Sequence, residues 1–350
     1  MNHQSYCNMN NKQILSANIG GIFSYVMALA ILFSSGCDYI TNPVVTHSGN
    51  SALPTSPPTR VDSTSATDDA LTKALVEDYT GHRCENCPAA AIQIDPLLTG
   101  VKAANIVLLQ VNCTLTFGQG FPKNSFVGLP DTAYGIDYRI TAGNNWNNTF
   151  INGDNNGLPG TMVDRLYYSP SAGAGGGNDL YLNVKNVSTP FDSLTATSPT
   201  ASIHIIDSMW APPTSFLAMN ITTKLHNPQS GNTYWLVVCL AEDSIYDWQD
   251  SLNVNRQYYL KRMTLRKVIN GNGSGWGDSL THTTSPQTKY YTFTNDTLML
   301  NNSMPISLPP KIPTRFWNMA HMYIVAFVYQ QTPSGKPYDY MVLQAQKLHL

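Results

Sequence analysis

The chain has 350 residues, enough for one large core or two modest ones. Hydrophobic residues make up 42% of it and charged residues only 12%, and the formal net charge is −2 with no Lys/Arg cluster. A nucleic-acid groove needs a positive field to displace counterions, so nucleic acid is not an expected partner. The wealth of Asn, Ser, Thr, Gly, Pro and Tyr suits strands, turns and long loops.

Residues 1–36 read as a signal peptide. Lys12 is the only charge ahead of a short apolar run, Ile22 to Phe33. That run is too short to span a bilayer as a mature helix but suits a signal-peptide core. It stops at Ser34-Ser35-Gly36-Cys37. Small residues followed at once by cysteine resemble a bacterial lipobox, in which the cysteine, here Cys37, is lipidated and becomes the mature N-terminus. A plain secretory signal with an unrelated cysteine is the other reading. The weak n-region also allows a start at Met9, and on the lipoprotein reading Cys7 is discarded. Removing 1–36 takes away one basic residue of 20 and none of the 22 acidic ones, so the net charge becomes −3. Membrane attachment is then expected from an N-terminal lipid rather than from a basic patch.

Residues 37–70 are rich in Ser, Thr, Pro and Asp and lack apolar periodicity, which predicts a disordered tether. From residue 71 the pattern changes. Ala74 to Tyr79 reads as a strand, Pro88 to Ile94 as a helix with proline in its first turn, and Asn105 to Val111 as a buried strand. Strand, helix, strand within about forty residues is a βαβ unit. Residues 113–157 read as loop-rich, with a helix around Asp131 to Phe150. Leu158-Pro159-Gly160 then leads into a short strand, and Ser171 to Asn178 marks the winding down of the first core.

From about residue 195 seven strands are predicted: Ser202 to Ile206, Phe216 to Leu225, Tyr234 to Leu240, Tyr258 to Ile269, Tyr290 to Thr294, Tyr323 to Tyr329 and Tyr340 to Leu348. Their spacing suits an antiparallel, immunoglobulin-like β-sandwich. A membrane barrel would need uniform lipid-facing alternation and a closed, even-numbered sheet, which these uneven strands do not supply.

The chemistry-bearing motif is Cys84-Glu85-Asn86-Cys87, placed after a strand and opening a helix. Unpaired N–H groups and the positive end of the helix dipole favour a thiolate there. Cys84 is the expected exposed nucleophile and Cys87 the resolving thiol, with His82 and Arg83 upstream adding positive potential. A zinc site lacks a second ligand pair, and two unconnected thiols so close together would be unusual in an oxidising compartment. A static disulfide that merely pins the turn is the serious rival. Cys113 and Cys239 read as small buried hydrophobes, and a bridge between them has no support.

The run from Val76 to Ala90 around the two cysteines resembles the signature of the outer-membrane lipoprotein family numbered twenty-eight in the "Omp" series. Gly157 to Thr161 with Arg165, Trp235 to Ser244, Met263 to Arg266 and Val342 to Ala345 are similar to that family too. The chain departs from it at Tyr259-Leu260-Lys261-Arg262, where a histidine is expected. The resemblance implies an α+β two-domain chain: a thioredoxin-like α/β domain at 71–190, then the β-sandwich at 195–350.

From the wider thioredoxin family it implies Asp78, six residues before Cys84, as the buried proton shuttle, with Glu77 on the opposite strand face as the rival. It also implies Pro159 as a cis-proline beside the disulfide. The expected site is thus Cys84, Cys87, Pro159 and Asp78, without a cofactor. Its partners would be exported or surface proteins bearing thiols or disulfides, met at the cell envelope, most simply the outer membrane. The alternative is a non-enzymatic surface lipoprotein, an adhesin or assembly component, in which Cys84–Cys87 is structural.

Overall fold

The computed structural model describes residues 58, 60–65, 71–100, 103–119, 129, 133–152, 157–166, 198–210, 216–252, 254–294, 317–334 and 339–350. The predicted signal, Cys37 and most of the tether lie outside these residues, as does the expected domain boundary near 190–195.

The described residues are mainly β. The elements are β1 (Arg60–Ser63), β2 (Ala74–Thr80), α1 (Cys87–Thr99), β3 (Ile106–Asn112) and α2 (Thr141–Trp146), which runs on as a π-turn over Asn147–Ile151. They continue with β4 (Gly160–Val163), β5 (Ala201–Trp210), β6 (Phe216–Leu225), β7 (Thr233–Glu242), β8 (Ile245–Ser251) and β9 (Val254–Lys261). The last are β10 (Thr264–Val268), β11 (Asp278–Leu280), β12 (Gln287–Thr294), β13 (Met322–Gln331) and β14 (Val342–His349).

A four-stranded sheet runs β1-β5-β6-β12, and a larger one β14-β13-β7-β10-β3-β2-β4 with β11 also on β7. The strands on either side of the expected boundary therefore share one sheet. The junction is narrow: β10 pairs with β3 in parallel through Thr264 and Gln110, and the Gln110 N–H donates to the Met263 carbonyl at 2.9 Å. Two further backbone bonds tie the far edge back to the first strands, from the Val342 N–H to Asp164 O (2.8 Å) and from the Ala345 N–H to Lys73 O (3.2 Å).

Strands β7 and β13 sit at the centre because they are apolar on both faces. Leu236, Val238 and Leu240 of β7 and Ile324, Ala326 and Val328 of β13 face Ile203, Ile205, Met219 and Ile221 of the smaller sheet, which makes a β-sandwich. The alternate residues, Val237, Cys239 and Ala241 with Val325 and Phe327, join Ile94 of α1 and Trp146 and Phe150 after it in a second core. Period-two alternation with both sets apolar is what a sheet covered on both sides requires.

Four expectations change. Arg60–Ser63, inside the predicted tether, pairs antiparallel with β5; backbone hydrogen bonds on an edge need no apolar pattern. The helix expected over Asp131 to Phe150 starts only at Thr141. Ahead of it Asp137 Oδ1 accepts the Arg139 N–H at 3.0 Å, a local side-chain bond that competes with helix. The strand expected over Tyr258 to Ile269 breaks at Met263, where φ is +43°, and its halves enter different sheets. Finally, β8 pairs with β9 as a hairpin that the sequence reading did not anticipate.

Candidate redox site at the Cys84–Cys87 turn

At the end of β2 the chain passes closely under a neighbouring loop. A Cβ on Gly81 would come within 2.5 Å of the Phe117 carbonyl oxygen, so only glycine fits there. The Arg83 N–H donates to that same carbonyl at 3.0 Å, and the Cys84 N–H donates to Gly81 O at 3.0 Å. Cys87 opens α1, its N–H donating to Cys84 O at 3.2 Å, with Pro88 in the first turn where a missing N–H costs nothing. Cys84 and Cys87 are joined as a disulfide with their Cα atoms 5.4 Å apart.

Both cysteines are buried, Cys84 to 2% exposure and Cys87 to 4%. That corrects the expectation of an exposed Cys84, and the cause is the β8–β9 hairpin laid over the turn. The Asp250 N–H donates to His82 O at 2.8 Å and the Leu252 N–H to Glu85 O at 3.2 Å. The Gln249 side-chain amide donates to Gly81 O and to Cys84 O, each at 3.1 Å. Lys261 Nζ in turn donates to Gln249 Oε1 at 2.9 Å.

His82 does not add the expected positive charge. Its ring is wholly buried, with Nε2 2.8 Å from Gln119 O and an edge-on approach to Tyr134 at 5.2 Å. Burial, reinforced by Lys261, lowers its pKa to about 3, so the imidazole is neutral and donates through Nε2.

Asp78 and Glu77 face opposite sides of β2 and meet different fates. Glu77 is committed to an ion pair with Arg165, whose Nη2 and Nε donate to its two oxygens at 2.7 and 2.9 Å, both side chains fully buried. Asp78 is also buried, but its one resolved contact comes from Gln110 Nε2, donating to Oδ2 at 3.3 Å. Its Oδ1 has no hydrogen-bond partner among the described residues. Burial raises its pKa to about 6, and nearby Asp95 adds to the effect while Gln110 opposes it.

The Leu158–Pro159 peptide bond is cis. Gly160, the next residue, pairs with Tyr79, so Pro159 comes opposite the end of β2 from which the chain leaves toward Cys84. Cys113 and Cys239 are buried and form no disulfide. No three His, Cys, Asp or Glu side chains among the described residues lie close enough together to hold a metal ion, and no described helix is long and apolar enough to cross a membrane.

Comparison with known proteins gives a fold likeness. HBP35 of Porphyromonas gingivalis is similar over 80% of this chain and 76% of that chain, with a TM-score of 0.54 at 12% identity. A domain of the outer membrane lipoprotein Omp28 from Porphyromonas gingivalis is 15% identical over 44% of this chain and 90% of that chain, with a TM-score of 0.24. No family model and no curated protein matches the chain.

Of the residues that the sequence reading expected, Cys84 and Cys87 are joined as a disulfide, Pro159 follows a cis peptide bond and Asp78 is buried on β2. That reading missed Gln249 and Asp247, and it noticed Lys261 only as a departure from a family pattern. The available signal was the alternation in β8, where Asp247, Gln249 and Ser251 are all buried. Polar residues on a buried face look like a solvent face when read from sequence.

Proposed function

We propose that the chain is a cell-envelope lipoprotein, anchored through Cys37, whose β2-α1-β3-β4 portion is thioredoxin-like and exchanges disulfides with exported or surface proteins. This reading keeps the chain within the "Omp"-series lipoprotein family. The observation that carries it is the disulfide at the head of α1, next after a strand with a buried carboxyl whose Oδ1 has no hydrogen-bond partner among the described residues. A partner thiolate would attack Cys84 Sγ, breaking the Cys84–Cys87 bond and releasing the Cys87 thiolate. The protonated Asp78 carboxyl would give that thiolate its proton. The partner's second thiolate would then attack its own sulfur in the mixed disulfide and leave as the partner disulfide, with Cys84 reduced. Two electrons pass from the partner's dithiol to Cys84–Cys87. With the direction reversed, the same steps oxidise the reduced pair. Pro159 would lie beside an extended partner segment at this end of the sheet.

The low exposure of both cysteines favours a second reading, a surface lipoprotein in which the disulfide only pins the turn against the hairpin. Trapping separates the two. In cell envelopes a Cys87→Ser variant should hold partner proteins as mixed disulfides on Cys84, released by dithiothreitol and identified by mass spectrometry. An absence of adducts, together with a wild-type disulfide that millimolar dithiothreitol leaves intact, would establish the structural reading.

A further inference from the structure

The hairpin brings a buried cation to the disulfide turn. Lys261 is 2% exposed. Its ammonium donates to Gln249 Oε1, and the amide at the other end of Gln249 donates to the carbonyl of Cys84 itself. Such a chain is polarised along its length: the positive charge draws electrons from the amide oxygen and strengthens the amide as a donor. Every member is buried, so water screens the effect little.

We infer that Lys261 and Gln249 are positioning residues for the Cys84–Cys87 pair, holding its turn and biasing it toward the reduced state. This rests on the exchange reading. When the disulfide is reduced, the turn must accommodate a thiolate, and a fixed positive charge nearby favours that form over the neutral disulfide.

The groups around Lys261 can be named. Asp247 of β8 faces it and favours its charged form; Asp247 Oδ2 also accepts the Tyr138 hydroxyl at 2.7 Å. The ring of Tyr138, from the segment before α2, lies 5.7 Å from Nζ, and that of Tyr259 on β9 lies 5.6 Å away. His82, on the loop after β2, is held neutral, and Arg266 of β10 sits over the far neighbour Tyr138 at 5.4 Å. Burial lowers the Lys261 pKa to about 8, against the opposing pull of Asp247. The cation is therefore present at pH 7 and lost as the pH rises through about 8.

The test is the equilibrium between the full-length protein and a dithiothreitol redox buffer from pH 6 to pH 10, with folding checked by near-ultraviolet circular dichroism. At pH 7, Lys261→Met should make the disulfide about tenfold harder to reduce, a fall of roughly 30 mV, and the variant should converge on the wild type above pH 9. Lys261→Arg keeps its charge throughout. It should match the wild type at pH 7 and remain easier to reduce above pH 9, which preserves the test if the methionine variant fails to fold. Coincident titration of a folded Lys261→Met protein and the wild type, or no divergence of Lys261→Arg at high pH, overturns the inference. Failure of the exchange reading is seen separately, as an absence of trapped partners while the equilibrium still responds to residue 261.

Discussion

The two faces of β2 hold acids in opposite ways. On one face Glu77 meets Arg165, and the guanidinium is boxed by the rings of Trp146, Phe150, Phe327 and Tyr329 at 4.6 to 5.7 Å. On the other, Asp78 is buried with one weak neutral donor and an oxygen left over. The first acid has a bidentate cationic partner that shares its burial, and the second is pushed toward the protonated form chiefly by burial, with Asp95 adding to it. The same strand thus carries a buried ion pair on one face and, on the other, a buried carboxyl whose pKa is raised to about 6.

Breaking the ion pair has the largest expected effect. Glu77→Ala leaves a fully buried guanidinium without its counter-charge, and removing one partner of a buried pair costs about 3–5 kcal/mol. Urea denaturation at pH 7 should show that loss, and a cost below about 1 kcal/mol would mean the pair is not what anchors this face of β2 in the core. Replacing both residues, as in Glu77→Met with Arg165→Met, should recover much of it, because the cost lies in the orphaned charge.

The opposite face sharpens the contrast through the sign of its pH dependence. An unfolded aspartate titrates near 3.8 and the folded Asp78 near 6, so between those values the folded chain holds a proton that the unfolded chain does not. Above pH 6 the ionised carboxyl costs the fold on the order of 3 kcal/mol, and stability rises as the pH falls from 7 toward 4. Asp78→Asn should therefore be more stable than the wild type at pH 7, by ~1–3 kcal/mol, with the difference gone at pH 4. Asp164, raised to about 8, and Asp207, raised to about 7, titrate in the same sense, so the difference between the two proteins is the informative quantity. A gap that is independent of pH would sink the assignment. On the exchange reading the same variant should resolve mixed disulfides more slowly while remaining better folded.

What could be read in the sequence follows the same division. Apolar positions announce themselves, so β2, β3, β6, β7 and β13 were visible, and Cys84 to Cys87 was marked by its spacing. Asp78 was singled out by its offset from Cys84 through the family resemblance, and the structure adds that it is buried. The partner of its neighbour Glu77, Arg165, lies 88 residues away in the chain and was not legible. The hairpin over the disulfide was invisible for the converse reason. Asp247, Gln249 and Lys261 are polar, and only the partners that topology brings to them allow their burial. Sharing of one sheet between the two halves was equally hidden, since it rests on a single pair between β3 and β10.

The smallest effect belongs to the edge strand β1, where a polar segment read as tether is held by backbone bonds and one hydroxyl. Thr64 is 4% exposed, and its Oγ1 accepts the Ile205 N–H at 3.0 Å and pairs with His204 Nδ1 at 3.1 Å. Its own N–H donates to Ile205 O at 2.9 Å, a bond that no side-chain change removes. Thr64→Ala should therefore cost only about 1 kcal/mol, the net worth of a typical hydrogen bond, and Thr64→Ser should cost less because the acceptor is kept. The loss should be local: amide exchange at Ile205 should quicken in the alanine variant while exchange in β7 and β13 stays at the rate set by global unfolding. If Ile205 exchanges equally fast with threonine, serine or alanine at residue 64, the strand is held by its backbone alone and the hydroxyl contributes nothing.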